Sequence, residues 1–585
     1  MRYVRLLLVV WMGWMMPLPA HSQAPETADR GDRPAGATWA TRSPVLAQNG
    51  IAATSHPLAS QVAIDVLKRG GSAVDAAIAA NAALGLMEPT GCGIGGDLYA
   101  IVWDPVSQRL HGLNASGRSP RGLRYDDMMA AIGEAGAVPE WGPLSVSVPG
   151  AVDGWFELHE RYGTLSMTEV LQPAIDYARD GFPLSQMIAD GWAMNMRRFA
   201  ANQNQIPELA NAESTYLVDG EVPTHGSVFR NPDLARTYAT LARDGRDAFY
   251  EGALADVMDA YMQRIGGPMR KADFEAHTST WVTPVSVNYR GHDVYELPPN
   301  GQGIAALQQL NMLEGFDLAS MGWGSADYLH VHTETKKLAF EDRARFYADM
   351  DFFDVPLDGL LDKDYATQRR LLIERSEVLQ DVRHGDPRLQ DGDTIYLTVA
   401  DRNGMMVSLI QSNYMGMGSG LVPDGLGFMF QNRGALFALD QDHPNVYAPG
   451  KRPFHTIIPA FVMKDGAPFM SFGLMGGDMQ PQGHAQIITN IVDFGMNVQE
   501  AGDAARYRHN GSSSPMGDLM TDGGVLQVES GFDPAVLDDL RKRGHTVEVV
   551  NNGSYGGYQA IIWDAVNKVY WGGTEMRKDG IVIGY

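Results

Sequence analysis

The clearest pattern along the chain is a change of period. Apolar residues recur at helical spacing from Leu58 to Arg69 and from Ala73 to Met87, with Gly70-Gly71 separating the runs and Ser72 placed to cap the second. Beyond Gly91 the spacing becomes that of a strand, Leu98-Tyr99-Ala100-Ile101-Val102-Trp103, closed by Asp104-Pro105. Residues 151 to 390 return mainly to helical periods, including Ala326 to Tyr347. The last third differs. Thr394 to Ala400 and Met405 to Gln411 are β-rich and flank Asp401-Arg402-Asn403-Gly404, whose Asn-Gly pair is a strong hairpin signal. The same design recurs at Ala460 to Met463 with Phe469 to Leu474, and at Gln559 to Trp563 with Lys568 to Trp571. Hairpins must bury their apolar faces, so stacked antiparallel sheets covered by the earlier helices are the simplest architecture.

The start of the chain reads as an address. Arg2 and Arg5 precede an apolar run from Leu6 to Met16 and a small-residue stretch, the pattern of a secretory signal peptide over residues 1–24, cut between Ala20 and Ala24. That run is short for a bilayer, and no later stretch approaches the roughly twenty apolar residues of a membrane helix. The expected product is a periplasmic or secreted protein with no membrane span once the signal is removed; an uncleaved anchor is the alternative. Residues 25–44 are a Pro-, Gly-, Thr- and Ala-rich leader, and folded structure should begin near Val45.

Composition narrows the partners. With 46 basic against 70 acidic residues among 585, the chain carries a formal charge of −24 and lacks the clustered cations of a nucleic-acid surface. Its single cysteine, Cys92, excludes an internal disulfide and a cysteine-based zinc site. His330 and His332 are two apart on a helix and do not share a face, so they make no metal pair.

Three glycine-rich segments compete as chemistry. Gly91 to Gly96 matches a dinucleotide fingerprint but lies between a helix and a strand, the reverse of the order that aims a helix N-terminus at a pyrophosphate. Gly301-Gln302-Gly303 has the right order but no acidic residue ending a later strand, and reads as a strand-to-helix turn. Phe472 to Asp478 ends a strand before a helical run from Gln482 to Phe494. Gly476 and Gly477 there could present backbone N–H groups to an oxyanion or simply make a turn. The most informative position is Asp393-Thr394. A threonine hydroxyl is a weak nucleophile, but an N-terminal threonine carries its own base in an α-amine of pKa near 8.

The chain resembles the γ-glutamyltransferase family of N-terminal-nucleophile hydrolases over nearly all of Val45 to Tyr585. The matching passages include Thr54 to Ser60, Gly70 to Ala77, Gly93 to Asp97, Ser147 to Gly150, Glu341-Asp342-Arg343, Gly392-Asp393-Thr394, Asn445 to Tyr447, Lys451 to Pro453 and Gly476-Gly477. The resemblance implies an α/β (α+β) fold built as a four-layer αββα sandwich, with additional helices from the large fragment. It implies self-cleavage between Asp393 and Thr394 into a large fragment 45–393 and a small catalytic fragment 394–585, which together form one αββα unit. It further implies an acyl-enzyme on Thr394, an oxyanion held at Gly476 and Gly477, and a supporting hydroxyl at Ser412. No metal or other cofactor is implied.

The acyl-binding positions depart from the family pattern. Aligned from Thr394, Tyr414, Arg433 and Leu436 replace Asn, Gln or Glu, and Asp, while Ser116 stands where an Arg belongs; His455 and Thr456 replace paired serines. Arg118 and Arg433 become candidate receptors for an anionic acyl group. The expected function is thus a self-cleaving exported amidohydrolase acting on a small-molecule amide or peptide through Thr394, more acylase than glutathione hydrolase. A glutathione hydrolase with a rearranged pocket and a noncatalytic exported binding protein remain alternatives.

Overall fold

The computed structural model describes residues 33, 36–380, 382 and 393–585, with only the backbone described at Asp393. The expected signal peptide and half of the leader lie outside these residues. From Arg42 onward the described chain is one unit.

Two seven-stranded sheets organise it. One runs in the order Val45–Ala47, Val569–Gly573, Tyr558–Asp564, Ala467–Leu474, Ala460–Lys464, His292–Glu296 and Val285–Tyr289. The other runs Ile581–Gly584, Ile51–Thr54, Asp393–Ala400, Met406–Tyr414, Asp97–Asp104, Arg109–Ala115 and Thr280–Val282. Neighbouring strands within each sheet are antiparallel.

Side-chain alternation places the layers. In Asp393–Ala400, Ile395, Leu397 and Val399 pack into a core shared with the helices Pro57–Lys68 and Ala73–Met87. Tyr396 and Ala400 point the other way, into a cluster with Phe461, Ile561 and Tyr570 of the facing sheet. On that facing sheet Val462, Met470, Phe472 and Ala560 turn outward to pack with the helices Gly303–Leu313, Ala326–Phe346 and Met479–Val492. The order is therefore helix, sheet, sheet, helix, as the resemblance implies.

The local signals explain the elements that surround the site. Ser72 and Asp75 form a reciprocal capping box at the start of Ala73–Met87, a helix buried along its whole length and largely alanine, which lets neighbouring backbones approach it closely. In the Asp401–Gly404 turn the Asp401 carboxylate accepts from the backbone N–H of Asn403 at 2.8 Å and of Ala73 at 3.0 Å. One side chain thus closes the hairpin and ties it to the buried helix. The three expected hairpins are present with strand ends shifted by one to three residues, and Met405 and Lys568 fall just outside the strands. The C-terminal strand Ile581–Gly584, which pairs with Ile51–Thr54, was not among the expected elements.

Candidate active site

The alternation that fills the space between the sheets also delivers Thr394. Even-numbered positions of its strand face the other sheet, and Thr398 Oγ1 meets Ser471 Oγ across the gap at 2.6 Å. Thr394 continues that series at the strand's start, 2% exposed, and its hydroxyl donates to Ser412 Oγ at 3.2 Å. Ser412 belongs to the adjacent strand and also accepts from the backbone N–H of Tyr414 at 2.8 Å. The two hydroxyl residues that the family resemblance associates lie within hydrogen-bonding distance.

The facing sheet supplies the second wall. Gly476 follows the strand Ala467–Leu474 with φ +113°, and Gly477 has φ +55°; both conformations favour glycine and turn the backbone sharply before the helix Met479–Val492. Thr394 and Gly476 line the same cavity of about 520 Å³, together with Glu88, Arg198, Lys578 and Asp579.

The turn is held from behind by residues that sequence reasoning did not single out for this role. Gln302 donates from one amide nitrogen to the carbonyls of Gly477 at 2.9 Å and Thr456 at 2.7 Å. Its oxygen accepts from Arg343 Nη1 at 2.7 Å, and Arg343 also binds the Asp478 carboxylate at 2.5 and 3.1 Å and the Ser513 carbonyl at 3.2 Å. The strand-to-helix turn expected at Gly301-Gln302-Gly303 is thus also a bracket. Gly91 was likewise read only as part of a look-alike motif. A Cβ there would meet the backbone C and O of Thr394 at 3.2 Å and its N at 3.3 Å, closer than most side chains approach, so glycine lets this loop close against the main chain of Thr394. The sequence signal was the glycine run itself, misdirected by its resemblance to a phosphate loop.

The candidate acyl-binding residues divide into two groups. Tyr414, Arg433 and Thr456 come together: the Arg433 guanidinium lies 4.7 Å from the Tyr414 ring centroid and donates from Nη1 to Thr456 Oγ1 at 2.7 Å. Arg433 is fully buried, which pulls its guanidinium down to about 10 while Asp97, Tyr414 and Tyr99 oppose the shift; it stays a cation at neutral pH. Its Nε and Nη2 have no hydrogen-bond partner. Tyr414 is buried, and its φ of +80° puts a bulky residue in the left-handed region at a cost of about 1–3 kcal/mol. Its Cα is the ladder partner of Asp393.

The other group is committed elsewhere. Arg118, expected to share an anionic acyl group with Arg433, makes an ion pair with Asp351 at 3.0 Å. His455 bonds Asp97 Oδ2 at 3.0 Å and stacks obliquely on Tyr99 at 4.8 Å; burial, with the nearby Arg433 charge, pulls its imidazole down to about 4, so it is neutral. Ser116 is buried and donates to Asn114 Oδ1 at 2.7 Å.

One cluster among the described residues has the donor set of a metal centre. His330, Glu334 and His545 bring one ligand atom each within 4.8 Å of one another. His332 is not among them, but its neighbour is, through a partner 215 residues away that helix periodicity does not reveal. The three are already engaged: His330 Nδ1 meets His545 Nε2 at 2.8 Å, and Glu334 pairs with the buried Lys337 at 2.9 Å. That ammonium occupies the electrostatic place of a cation.

Comparisons with known proteins agree with the geometry. The model of the family described as gamma-glutamyltranspeptidase matches residues 59–585. A glutathione hydrolase-like YwrD proenzyme of Bacillus subtilis is 36% identical over 92% of this chain and 99% of its own length. An oxamate amidohydrolase proenzyme of Klebsiella pneumoniae is 32% identical over 92% and 99%. The crystal structure of a cephalosporin acylase from Bacillus halodurans superposes with a TM-score of 0.86 at 40% identity, covering 94% of this chain and 98% of that one.

Proposed function

The chain belongs to the gamma-glutamyltranspeptidase family and is one of its amide-hydrolysing and acyl-transferring enzymes, and on that premise we propose that it is exported, cleaves itself between Asp393 and Thr394, and uses Thr394 to move acyl groups from amides to water or an amine. The observation that carries the reading is the Thr394 hydroxyl, placed between the sheets 3.2 Å from Ser412 and opening on a cavity it shares with Gly476.

The steps follow from that placement. In the precursor, Thr394 Oγ attacks the carbonyl carbon of Asp393, the peptide C–N bond breaks, and water hydrolyses the resulting ester to leave a carboxylate at Asp393 and a free amine at Thr394. In turnover this amine accepts the hydroxyl proton as Oγ bonds to the substrate's amide carbon. Negative charge gathers on the carbonyl oxygen, where the Gly476-Gly477 turn offers backbone N–H groups. The C–N bond then breaks, the leaving amine takes the proton, and water or a second amine releases the acyl group from the threonine ester. Ser412, anchored to the Tyr414 N–H, orients the nucleophile.

An acylase specificity is favoured over glutathione cleavage. The resemblance calls for a carboxylate against the α-ammonium of a γ-glutamyl group, and Leu436 stands at that position. The proenzyme names of the two sequence relatives support processing, and their different substrates leave the acyl group to be decided by this chain's own residues. The reading is tested by denaturing electrophoresis, N-terminal sequencing and p-nitroanilide hydrolysis. Wild type should yield two fragments, the smaller beginning Thr-Ile-Tyr-Leu, and Thr394→Ala should give one full-length band without hydrolase activity. An active, uncut Thr394→Ala protein overturns it.

A further inference from the structure

We propose that the Glu88 carboxylate is the counter-charge of the Thr394 amine: once the bond after Asp393 is cut, it accepts an N–H of that amine and turns the nitrogen lone pair toward the Thr394 hydroxyl. The inference rests on the proposed self-cleavage and deepens it, since it supplies the partner that holds the nucleophile's own base in position.

Three placements bring Glu88 to the nucleophile. The first is strand register: Ile51–Thr54 pairs with Asp393–Ala400 so that Ala53 lies opposite Thr398 and Thr54 opposite Leu397. Carried one residue further, that register sets Ser55 opposite Tyr396, two residues from Thr394 and on the face turned to the other sheet, where Ala53 and Tyr396 also point. Ser55 Oγ donates to Glu88 Oε2 at 2.5 Å, which ties the carboxylate to that point. The second is the turn that follows the buried helix Ala73–Met87. The Glu88 carbonyl accepts from the N–H of Gly91 at 3.1 Å and of Cys92 at 3.3 Å, and Gly91 is the residue whose Cβ would lie 3.3 Å from Thr394 N. The third is the cavity itself, which Ser55, Glu88, Gly91, Thr394 and Gly476 all line.

Charge then singles Glu88 out. The cavity is also lined by Asp190, Arg197 and Arg198 of the helix Gln186–Ala201 and by Lys578 and Asp579, just before the strand Ile581–Gly584. Asp190 is exposed, and Asp579 is half-buried with its Oδ2 taken by the Met187 N–H at 3.1 Å. Glu88 is 2% exposed, so of the three carboxylates in this wall it alone is buried with the nucleophile. His56, next to Ser55, is pulled down to about 4 by burial against the opposing charge of Asp579, and is neutral. An amine freed in such a wall is costly to protonate without an anion beside it. A charge-assisted N–H···O bond to Glu88 meets that need and fixes one hydrogen, which leaves the lone pair for the hydroxyl proton. Ser55 completes the series as the group that orients the carboxylate.

The test uses purified enzyme whose cleavage has been verified by electrophoresis, so that failure to mature is seen separately. The Thr394 amine is titrated by acetic anhydride labelling as a function of pH, read by mass spectrometry of the peptide beginning Thr-Ile-Tyr-Leu, which needs no substrate. Removing a nearby negative charge makes the amine easier to deprotonate, so Glu88→Gln should lower its midpoint by about one pH unit or more, while Glu88→Asp, which keeps the charge, should stay within about half a unit of wild type. Coincident midpoints for wild type and Glu88→Gln overturn the counter-charge. Should Glu88→Gln fail to cut itself, the wild-type midpoint decides: burial alone depresses an amine, so a value at or above about 8 supports the anion and a lower one overturns it. The orienting role is read separately, on γ-glutamyl- or glutaryl-p-nitroanilide, whichever wild type turns over faster. At a pH where its amine is neutral, Glu88→Ala should lose about 10- to 100-fold in kcat with KM within about threefold of wild type; an unchanged kcat overturns that role.

Discussion

Two buried guanidinium groups are joined through Gln302 and Thr456, and they could hardly be used more differently. Arg343 donates to Gln302, to both oxygens of Asp478 and to the Ser513 carbonyl, and stacks 3.8 Å over the Phe340 ring. Arg433 has one hydrogen bond and a tyrosine ring. Both are fully buried, so the difference lies in what offsets desolvation. Arg343 is balanced inside the fold and acts as a bracket for the Gly476-Gly477 turn. Arg433 has no carboxylate within ion-pair reach among the described residues, and its Nε and Nη2 have no hydrogen-bond partner. Burial alone does not tell the two arginines apart; their donors do, since Arg343 leaves only Nε without a partner and Arg433 leaves both Nε and Nη2.

The contrast can be broken most directly at its balanced end. Arg343→Met strands the Asp478 carboxylate and frees Gln302, and should cost about 3–5 kcal/mol in denaturant unfolding. A loss below about 1 kcal/mol would erase the distinction between the two arginines. Arg433→Met removes a cation that leaves nothing charged behind, so its stability should equal or exceed wild type by up to about 3 kcal/mol. A destabilisation like that of Arg343→Met would mean that the two arginines are held alike.

A smaller effect comes from Glu341, beside the Ser513 whose carbonyl Arg343 binds. Glu341 is hydrogen-bonded by the Ser513 hydroxyl, and burial pushes its carboxyl up to about 7. The folded protein therefore holds this proton after the unfolded chain, near 4.5, has released it. Stability should fall as pH rises from about 4.5 to 7 and level off above. Glu341→Gln should remove that fall and be more stable than wild type by about 1–2 kcal/mol at pH 8, with no difference at pH 4; parallel melting profiles would refute it. Least of all, Thr456→Val deletes the single hydrogen bond of Arg433 and should cost about 1 kcal/mol.

How much of this was legible in the sequence follows from the range of the interactions. The helices at 57–68 and 73–87 and the hairpin around Asn403-Gly404 are specified by neighbours, through periodicity, a cap and a turn dipeptide. Thr394 and Ser412 face one another because hairpin register and strand alternation carry a pattern across eighteen residues. The pairing of 581–584 with 51–54 and the meeting of His330 with His545 leave no local trace, since each joins segments hundreds of residues apart. Gln302 was visible as a turn residue and Gly91 as part of a glycine run. What they turn against, Gly477 in one case and Thr394 in the other, is set by the stacking of whole sheets. Tyr414 was conspicuous only as a departure from a family pattern; its backbone conformation and its position opposite Asp393 belong to the folded chain.

Both sheets draw strands from either side of residue 394: 51–54 and 97–104 enclose the hairpin 393–414, and 285–296 extends the sheet formed by 460–474 and 558–573. Neither proposed product could keep a complete sheet alone. Scission would therefore be a one-way event in the life of the molecule: folding must finish while the chain is continuous, and two strangers in solution would have to find every interleaved edge at once. Such an enzyme ages by the rate at which it opens, not by an equilibrium it can climb back.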